Sequence, residues 1–353
     1  MKDKGIAILT PTSMGIRMTP LDRQPVHTSD TFRLQSTSAE SNVLQVSASL
    51  GKRCAVLTKF VKDSPIAAYI KAQLRARNIA TFAQEVPQGG PWGYRHQFNI
   101  ADSGYGLRGP NVWNDRAGEV GCTLSASDFD LESIFCEGVS IVHISGLIAA
   151  LSEDTARFCL ELAKVAKRHG TLVSFDLNYR ASFWKGREKE LGDTFRSIAA
   201  AADILIGNEE DFQLALGIKG PEAGGEGLSA KIDGFKNMID RVKEAFPNVR
   251  LFATTLREVI SANTHLWGAI IRDGDDWYVE LPREIPVLDR IGGGDGFVAG
   301  MLYGVLNGWN AEKCMQFGWA TGVLAVTVFE DYATPVDEEQ VWSIYKGNAR
   351  VKR

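Results

Sequence analysis

From about residue 140 onward the chain alternates short β-branched runs with stretches of helical periodicity, and this alternation restricts it to a parallel sheet covered by helices. Ser140 to Ile144 reads as one strand. The helix after it is marked at both ends: Ser152 caps the first turn, Glu153 and Asp154 suit its positive end, and Lys167 and Arg168 precede a terminating Gly170. Between them Phe158, Leu162, Val165 and Ala166 fall on one face. Thr171 to Phe175, Ile204 to Ile206 and Arg250 to Thr254 continue the cycle, with further apolar runs at Trp267 to Ile271 and Trp277 to Leu281. Ligands of open α/β sheets bind beyond the carboxyl ends of the strands, and Asp176-Leu177-Asn178-Tyr179-Arg180 hangs from one such end.

The first part of the chain is less regular. Gly5 to Leu9, Ala55 to Lys59 and Ile79 to Phe82 read as strands around a helix from Asn42 to Leu50. Residues 11–38 and 88–116 are polar and rich in Gly, Pro and aromatics, and they read as irregular strands and loops able to form a small flap over a site. Gly217 to Gly227 reads as a Gly-rich surface loop. With no long linker and no internal repeat, residues 1–353 are expected to form a single domain with the flap segments inserted into its α/β core.

Several functions are disfavoured by what the chain lacks. A net charge of -4 gives no basic footprint for nucleic acid. The five cysteines are scattered and never form C-x-x-C, which suits a reducing cytoplasm. No apolar run approaches the ~20 residues that cross a bilayer, and Ile6 to Leu9 is too brief for a signal-peptide core. The G-x-G-x-x-G at residues 104–109 lacks a strand before it and a helix after it, and a P-loop and a G-x-S-x-G elbow are absent. The five histidines show no metal spacing.

The chemistry concentrates in Asp289-Arg290-Ile291-Gly292-Gly293-Gly294-Asp295-Gly296-Phe297, which follows a strand-like Glu284 to Leu288 and precedes a helical stripe of Phe297, Met301 and Val305. Successive glycines let backbone N–H groups converge at a helix N-terminus, where the dipole and unpaired donors favour an anion such as phosphate. Asp295 beside them can take a proton from a hydroxyl attacking that phosphorus. Taken alone, the segment reads more readily as a tight turn with Asp295 as a helix cap.

That segment resembles the D-x-x-G-A-G-D-x-F signature of the ribokinase-like (PfkB-type) carbohydrate kinases, with Gly293 in place of the usual alanine. Asp176 to Arg180 followed by Phe183-Trp184 resembles the D-x-N-Y-R-x-x-L-W element of the 2-keto-3-deoxygluconate kinase branch, and Asn208-Glu209-Glu210-Asp211 resembles the family's N-x-x-E. Thr255-Leu256-Arg257-Glu258, Ser261-Ala262 and Trp267 are similar to the T-L-R-E-x-x-S-A...W stretch of the same branch, and Asp115-Arg116-Ala117-Gly118 to its Y-D-R-A-G.

The resemblance implies a three-layer α/β/α sandwich with a mostly parallel sheet and a small β-flap serving as lid. It implies ATP-dependent phosphorylation of a hydroxyl on a sugar or sugar acid, with Mg2+. Asp295 would be the catalytic base, and the amides of Gly292, Gly293 and Gly294 would hold the transferring phosphoryl group. Asn42, Arg116 and Arg180 would contact acceptor or phosphate, while Asn208, Thr255 and Arg257 would lie on the nucleotide side. Asp211 would help organise the Mg-phosphate region, although it is shorter than the family's Glu, and Asp289 would belong to a monovalent-cation site. For Asn208 and Asp211 a capped helix is the competing reading, and for Asp289 a turn residue. A homodimer joined through the lid is also implied.

The acceptor half departs from the pattern. Pro11-Thr12-Ser13-Met14 stands where the first strand usually ends in Gly-Glu, and Thr37-Ser38 replaces a Gly-Gly pair. Asn114 takes the place of an aromatic residue, and Glu119-Val120 replaces Ser-Ala, adding a negative charge to the flap. Thr37, Ser38 and Asn114 are therefore candidate acceptor contacts alongside Arg116. Three readings stay open: a 2-keto-3-deoxygluconate-like acceptor, a different sugar, polyol or nucleoside, and a non-catalytic sensor.

Overall fold

The computed structural model describes residues 5–220 and 232–350, so most of the Gly-rich stretch at residues 217–227 lies outside them. In chain order the strands are β1 (Ile6–Pro11), β2 (Gly15–Pro20), β3 (Phe32–Thr37), β4 (Cys54–Val61), β5 (Ile79–Val86), β6 (Gln97–Ala101) and β7 (Val112–Asp115). They continue as β8 (Val139–Ser145), β9 (Leu172–Asp176), β10 (Ile204–Ile206), β11 (Leu251–Ser261), β12 (Thr264–Asp273) and β13 (Asp276–Pro286). Nine of them form one sheet in the order β13-β12-β11-β10-β9-β8-β1-β4-β5. Pairing is parallel from β5 through to β11 and antiparallel at β11–β12 and β12–β13.

Two-residue periodicity sends alternate side chains to opposite layers. Along β4, Ala55 and Leu57 enter one core and Cys54 and Val56 the other. The first core is closed by helices Glu153–Arg168, Glu188–Ala199 and Ile232–Ala245, through residues such as Phe158, Phe195 and Phe235. Helices Ala39–Ser49, Pro65–Ala76, Gly293–Leu306 and Ala311–Val326 close the second through Leu44, Ile70, Phe297 and Phe317. The result is a three-layer sandwich. Among the described residues no helix is long and apolar enough to cross a membrane.

The helix expected after β8 has the expected ends: Ser152 Oγ accepts from the Thr155 amide, and Gly170 takes a left-handed φ of 66°. Two boundaries differ. The Asn42 helix begins earlier, at Ala39, because Ser38 caps it by accepting from the Ser41 amide at 3.0 Å. β11 runs past Thr254 to Ser261, since Leu256 points into the core between the more accessible Thr255 and Arg257 and thereby continues a strand.

The segments expected as irregular flap contain β2, β3, β6 and β7, which form a second sheet in the order β3-β2-β6-β7. Its register separates two faces. Leu34, Met18, Ile100 and Trp113 make one cross-strand row; Gln35, Arg17, Asn99 and Asn114 make the row on the other face. Arg17, Asn99 and Asn114 line a cleft over the large sheet, whereas Leu34 and Trp113 are exposed on the far side.

Beneath the carboxyl end of β9, Phe195 packs edge-on to Phe175 and Trp184, with centroids 5.4 and 4.8 Å away. Phe195→Ala is expected to cost about 3–5 kcal/mol of stability, read as a lowered denaturation midpoint with an unchanged slope.

Candidate active site

Successive strands depart from β1 in both directions: the chain goes out to β4 and β5, then returns to β8 on the other side. Such a reversal leaves a crevice at the carboxyl ends of the strands. Here a cleft of about 750 Å³ opens there, floored by residues 290–295 and roofed by the small sheet.

Gly292 is the residue before helix Gly293–Leu306 and adopts φ 85°. A Cβ on Gly292 would stand 2.0 Å from the Asp331 carbonyl oxygen, so the turn requires glycine. Gly293 and Gly294 lie in the first helical turn rather than in a loop, leaving their amides among the unpaired donors of the N-terminus. The space beside Gly294 is open: apart from its own chain neighbours and helix backbone, no described atom lies within 4 Å of where a Cβ would be. An anion fits that opening.

Asp295 stands one residue further into the helix, and its Oδ2 accepts from Asn42 Nδ2 at 2.8 Å. Burial, with smaller contributions from Asp331 and Glu40, pushes its carboxyl up to about 7, against the lowering effects of the Asn42 hydrogen bond and the Arg180 charge.

On the side of β9 to β11, Asp176 ends β9 and accepts from the Asn178 amide at 3.1 Å; Asn178 takes a positive φ of 39° that Asn tolerates. Burial and the charges of Asp211 and Asp295 hold Asp176 well above the ordinary carboxyl range. Arg180 donates to the Tyr179 carbonyl at 2.7 Å, and its charge acts on Asp176, Asp211, Asp295, Arg257 and Arg290 alike, which places it between the acids and the other guanidiniums. Desolvation by the cleft walls, with Arg290 beside it, pulls Arg257 down to about 10. Thr255 lines the same wall.

Asn208 and Asp211 form a reciprocal capping box on helix Glu209–Leu216. Asn208 Oδ1 accepts from the Glu210 and Asp211 amides at 2.8 and 2.9 Å. Asp211 accepts from the Asn208 amide at 2.8 Å and the Tyr179 amide at 2.9 Å, one on each oxygen, and burial pushes it up to about 6. Both oxygens are thus engaged by backbone, so contact with a metal through bridging water suits Asp211 better than direct ligation. Among the described residues no group of three or more His, Cys, Asp or Glu is placed to hold a metal ion.

At the end of the cleft nearer the small sheet, Thr37 Oγ1 donates to Asp331 Oδ2 at 2.8 Å, and Ser38 Oγ is engaged by the Ser41 amide and by Thr12 Oγ1 at 2.8 Å. Asn114 is exposed on β7 and faces the cleft. Arg116 Nη1 donates to both oxygens of Glu119, at 2.9 and 3.0 Å, and the guanidinium lies over the Phe183 ring. Glu119, itself 2% exposed, also accepts from Ser13.

Asp289 is buried and faces protein donors, Arg17 Nη2 at 2.5 Å and Ser103 Oγ at 2.7 Å, where the sequence suggested a cation site. A metal cation at Asp289 does not fit beside that guanidinium.

Arg17, Glu40, Arg290 and Asp331 also line the cleft and were not singled out from sequence. Arg17 carried one available signal, a lone Arg in an otherwise apolar and small run, Met14-Gly15-Ile16-Arg17-Met18. Glu40 and Asp331 carried none: each acquires its meaning from a partner distant in sequence, Thr12 for Glu40 and Arg17 for Asp331.

The family model described as "pfkB family carbohydrate kinase" matches residues 15–338. The chain is similar to a 2-dehydro-3-deoxygalactonokinase of Haloferax volcanii, 26% identical over 340 residues and covering 96% of each protein. It is 24% identical over 303 residues to a 2-dehydro-3-deoxygluconokinase of Bacillus subtilis, covering 85% of this chain and 83% of that one. Among solved structures it is similar to a 2-dehydro-3-deoxygluconokinase of Thermotoga maritima, with a TM-score of 0.87 at 27% identity over 97% of this chain and 98% of the other. The family match leaves only the two ends of the chain outside it, and on that ground the chain belongs to the pfkB family of carbohydrate kinases.

Proposed function

We propose that this ATP-dependent carbohydrate kinase transfers the γ-phosphoryl group of ATP to a hydroxyl of a 2-keto-3-deoxy sugar acid, with Asp295 as the base. The observation that carries the mechanism is the placement of Asp295 in the first turn of helix Gly293–Leu306, beside the open space at Gly294. The acceptor O–H bond breaks as its proton passes to the Asp295 carboxylate. A new O–P bond forms while the bond from phosphorus to the ADP oxygen breaks. Amides of Gly292, Gly293 and Gly294 stabilise charge on the phosphoryl oxygens, and Arg180, Arg257 and Arg290 neutralise the triphosphate. Mg2+ would supply further neutralisation of the phosphates, held by them and, through water, by Asp211.

The sugar-acid reading is supported by the named activities of the relatives. A neutral keto sugar or polyol is favoured by a different observation, the neutralisation of Arg116 by buried Glu119, both of whose oxygens accept from Arg116 Nη1. The small sheet would act as a lid that excludes water as competing acceptor. Its outer row of Leu34, Met18, Ile100 and Trp113 suits pairing with a second copy, giving a homodimer joined through the lid. The cysteines, all free, suit a cytoplasmic setting.

Acceptor-dependent ADP release, measured with Mg-ATP over ketodeoxy sugar acids, neutral ketoses, polyols and nucleosides, tests the substrate. A strong response to a ketodeoxy acid is expected; a response confined to neutral acceptors would select the second reading. Arg180→Ala is expected to depress kcat alike for acidic and neutral acceptors, by about a hundredfold or more, because Arg180 serves the phosphoryl group.

Asp295→Asn should lower kcat by about 10²–10⁴-fold while nucleotide binding, followed by calorimetry, persists. A base must be deprotonated, so kcat/KM should fall on acidification with a midpoint near the Asp295 value of about 7 and level off above it. The Asn42 hydrogen bond lowers that value, and Asn42→Ala should therefore move the acid limb to higher pH.

Gly294→Ala should leave the unfolding temperature unchanged and weaken ATP turnover, since its methyl enters the anion space. Gly292→Ala should instead lose at least about 1–2 kcal/mol of stability from its left-handed backbone alone.

A further inference from the structure

Six donor atoms from five residues engage all four carboxylate oxygens of Asp289 and Asp331. Asp289 Oδ2 accepts from Arg17 Nη2 at 2.5 Å and Ser103 Oγ at 2.7 Å, and its Oδ1 accepts from the Ile291 amide at 3.1 Å. Arg17 Nη1 donates to Asp331 Oδ1, which also accepts from Gln35 Nε2 at 2.8 Å. Asp331 Oδ2 accepts from Thr37 Oγ1 at 2.8 Å. Arg17 is 1% exposed, Asp289 0% and Asp331 2%. The backbone carbonyls just before Asp289, those of Val287 and Leu288, are taken by Arg23, which belongs to the same β2–β3 hairpin as Arg17.

We infer that Arg17 is a built-in cation: its guanidinium joins the loop entering Gly292 to the loop at Asp331 in place of a bound monovalent ion, so that catalysis needs none. Two buried carboxylates would otherwise repel each other and the incoming triphosphate at close range. A guanidinium suits the task because its planar fork reaches both carboxylates at once and its charge is permanent. The glycine turn depends on both partners, since the Asp289 carboxylate holds the Ile291 amide and the Asp331 carbonyl presses against the Gly292 backbone. Arg17 thereby acts as a positioning residue, working through the two loops rather than on the substrate.

The activity arm of the test rests on the kinase reading; a thermal-unfolding arm does not. Purified protein is measured in tetramethylammonium salt and again with potassium, ammonium or guanidinium ions added at constant ionic strength. The wild-type kcat and unfolding temperature should be indifferent to potassium. Arg17→Ala should lose about a hundredfold in kcat as the loops shift, and recover part of it with guanidinium or potassium, each ion also raising its unfolding temperature. Arg17→Lys, which keeps a cation there, should retain more activity than Arg17→Ala without added ions. Potassium activation or selective potassium stabilisation of the wild type would overturn the inference. So would a folded Arg17→Ala protein that no cation restores alongside an equally inactive Arg17→Lys protein. Should Arg17→Ala fail to fold, the wild-type titration and Arg17→Lys decide the question alone.

Discussion

A single hydrogen bond, from Asn42 Nδ2 to Asp295 Oδ2, joins two segments that are 253 residues apart and brings the N-terminal turns of two helices to one point. Helix Ala39–Ser49 and helix Gly293–Leu306 lie in the same layer and share one core, with Val43, Leu44, Phe297 and Met301 buried in it. The glycine at 292 lets the backbone lie against the Asp331 carbonyl, and Ser38 begins the partner helix early. Asp295, the first-turn amides and Asn42 are therefore held by packed secondary structure, which keeps a site's geometry better than loops do.

Electrostatics divides the cleft into two regions with different tasks. Towards β9 to β11, burial lowers the proton affinity of Arg257 and Arg290, and the neighbouring guanidiniums add to it, Arg290 and Arg180 acting on Arg257 and Arg180 on Arg290, as expected of cations crowded together to receive several negative charges. Towards the small sheet, cations are met by carboxylates already: Arg17 by Asp289 and Asp331, Arg116 by Glu119. Positive charge is thus left over where a triphosphate would lie, and is already paired where an acceptor would lie.

The large sheet was legible because local signals agreed with the global fold: Ser152, Gly170 and the apolar face of helix Glu153–Arg168 each predict what is seen. The glycine segment was legible too, since its residues act together in sequence as in space. What escaped had no local signature. Glu40 and Asp331 look like ordinary surface acids until Thr12 and Arg17 arrive from elsewhere in the chain, and Asp289, read as a metal neighbour, turned out to face an arginine from the small sheet. Asn208 and Asp211 carried both of their readings in sequence, and the backbone amides they engage settle the capping half of that choice.

The two-sided character of the small sheet carries a liability. Side chains alternate along β2, so a shift of pairing by one residue would turn Arg17 outward and press Met18 into the cleft. Gly15 sits opposite Gln97 at one end of the β2–β6 pair, and its backbone lies so close to the Gln97 side chain that a side chain at Gly15 would overlap it. A replacement at that glycine would accordingly be felt twice, displacing Gln97, which itself lines the cleft, and unsettling the outer row that the same strands carry.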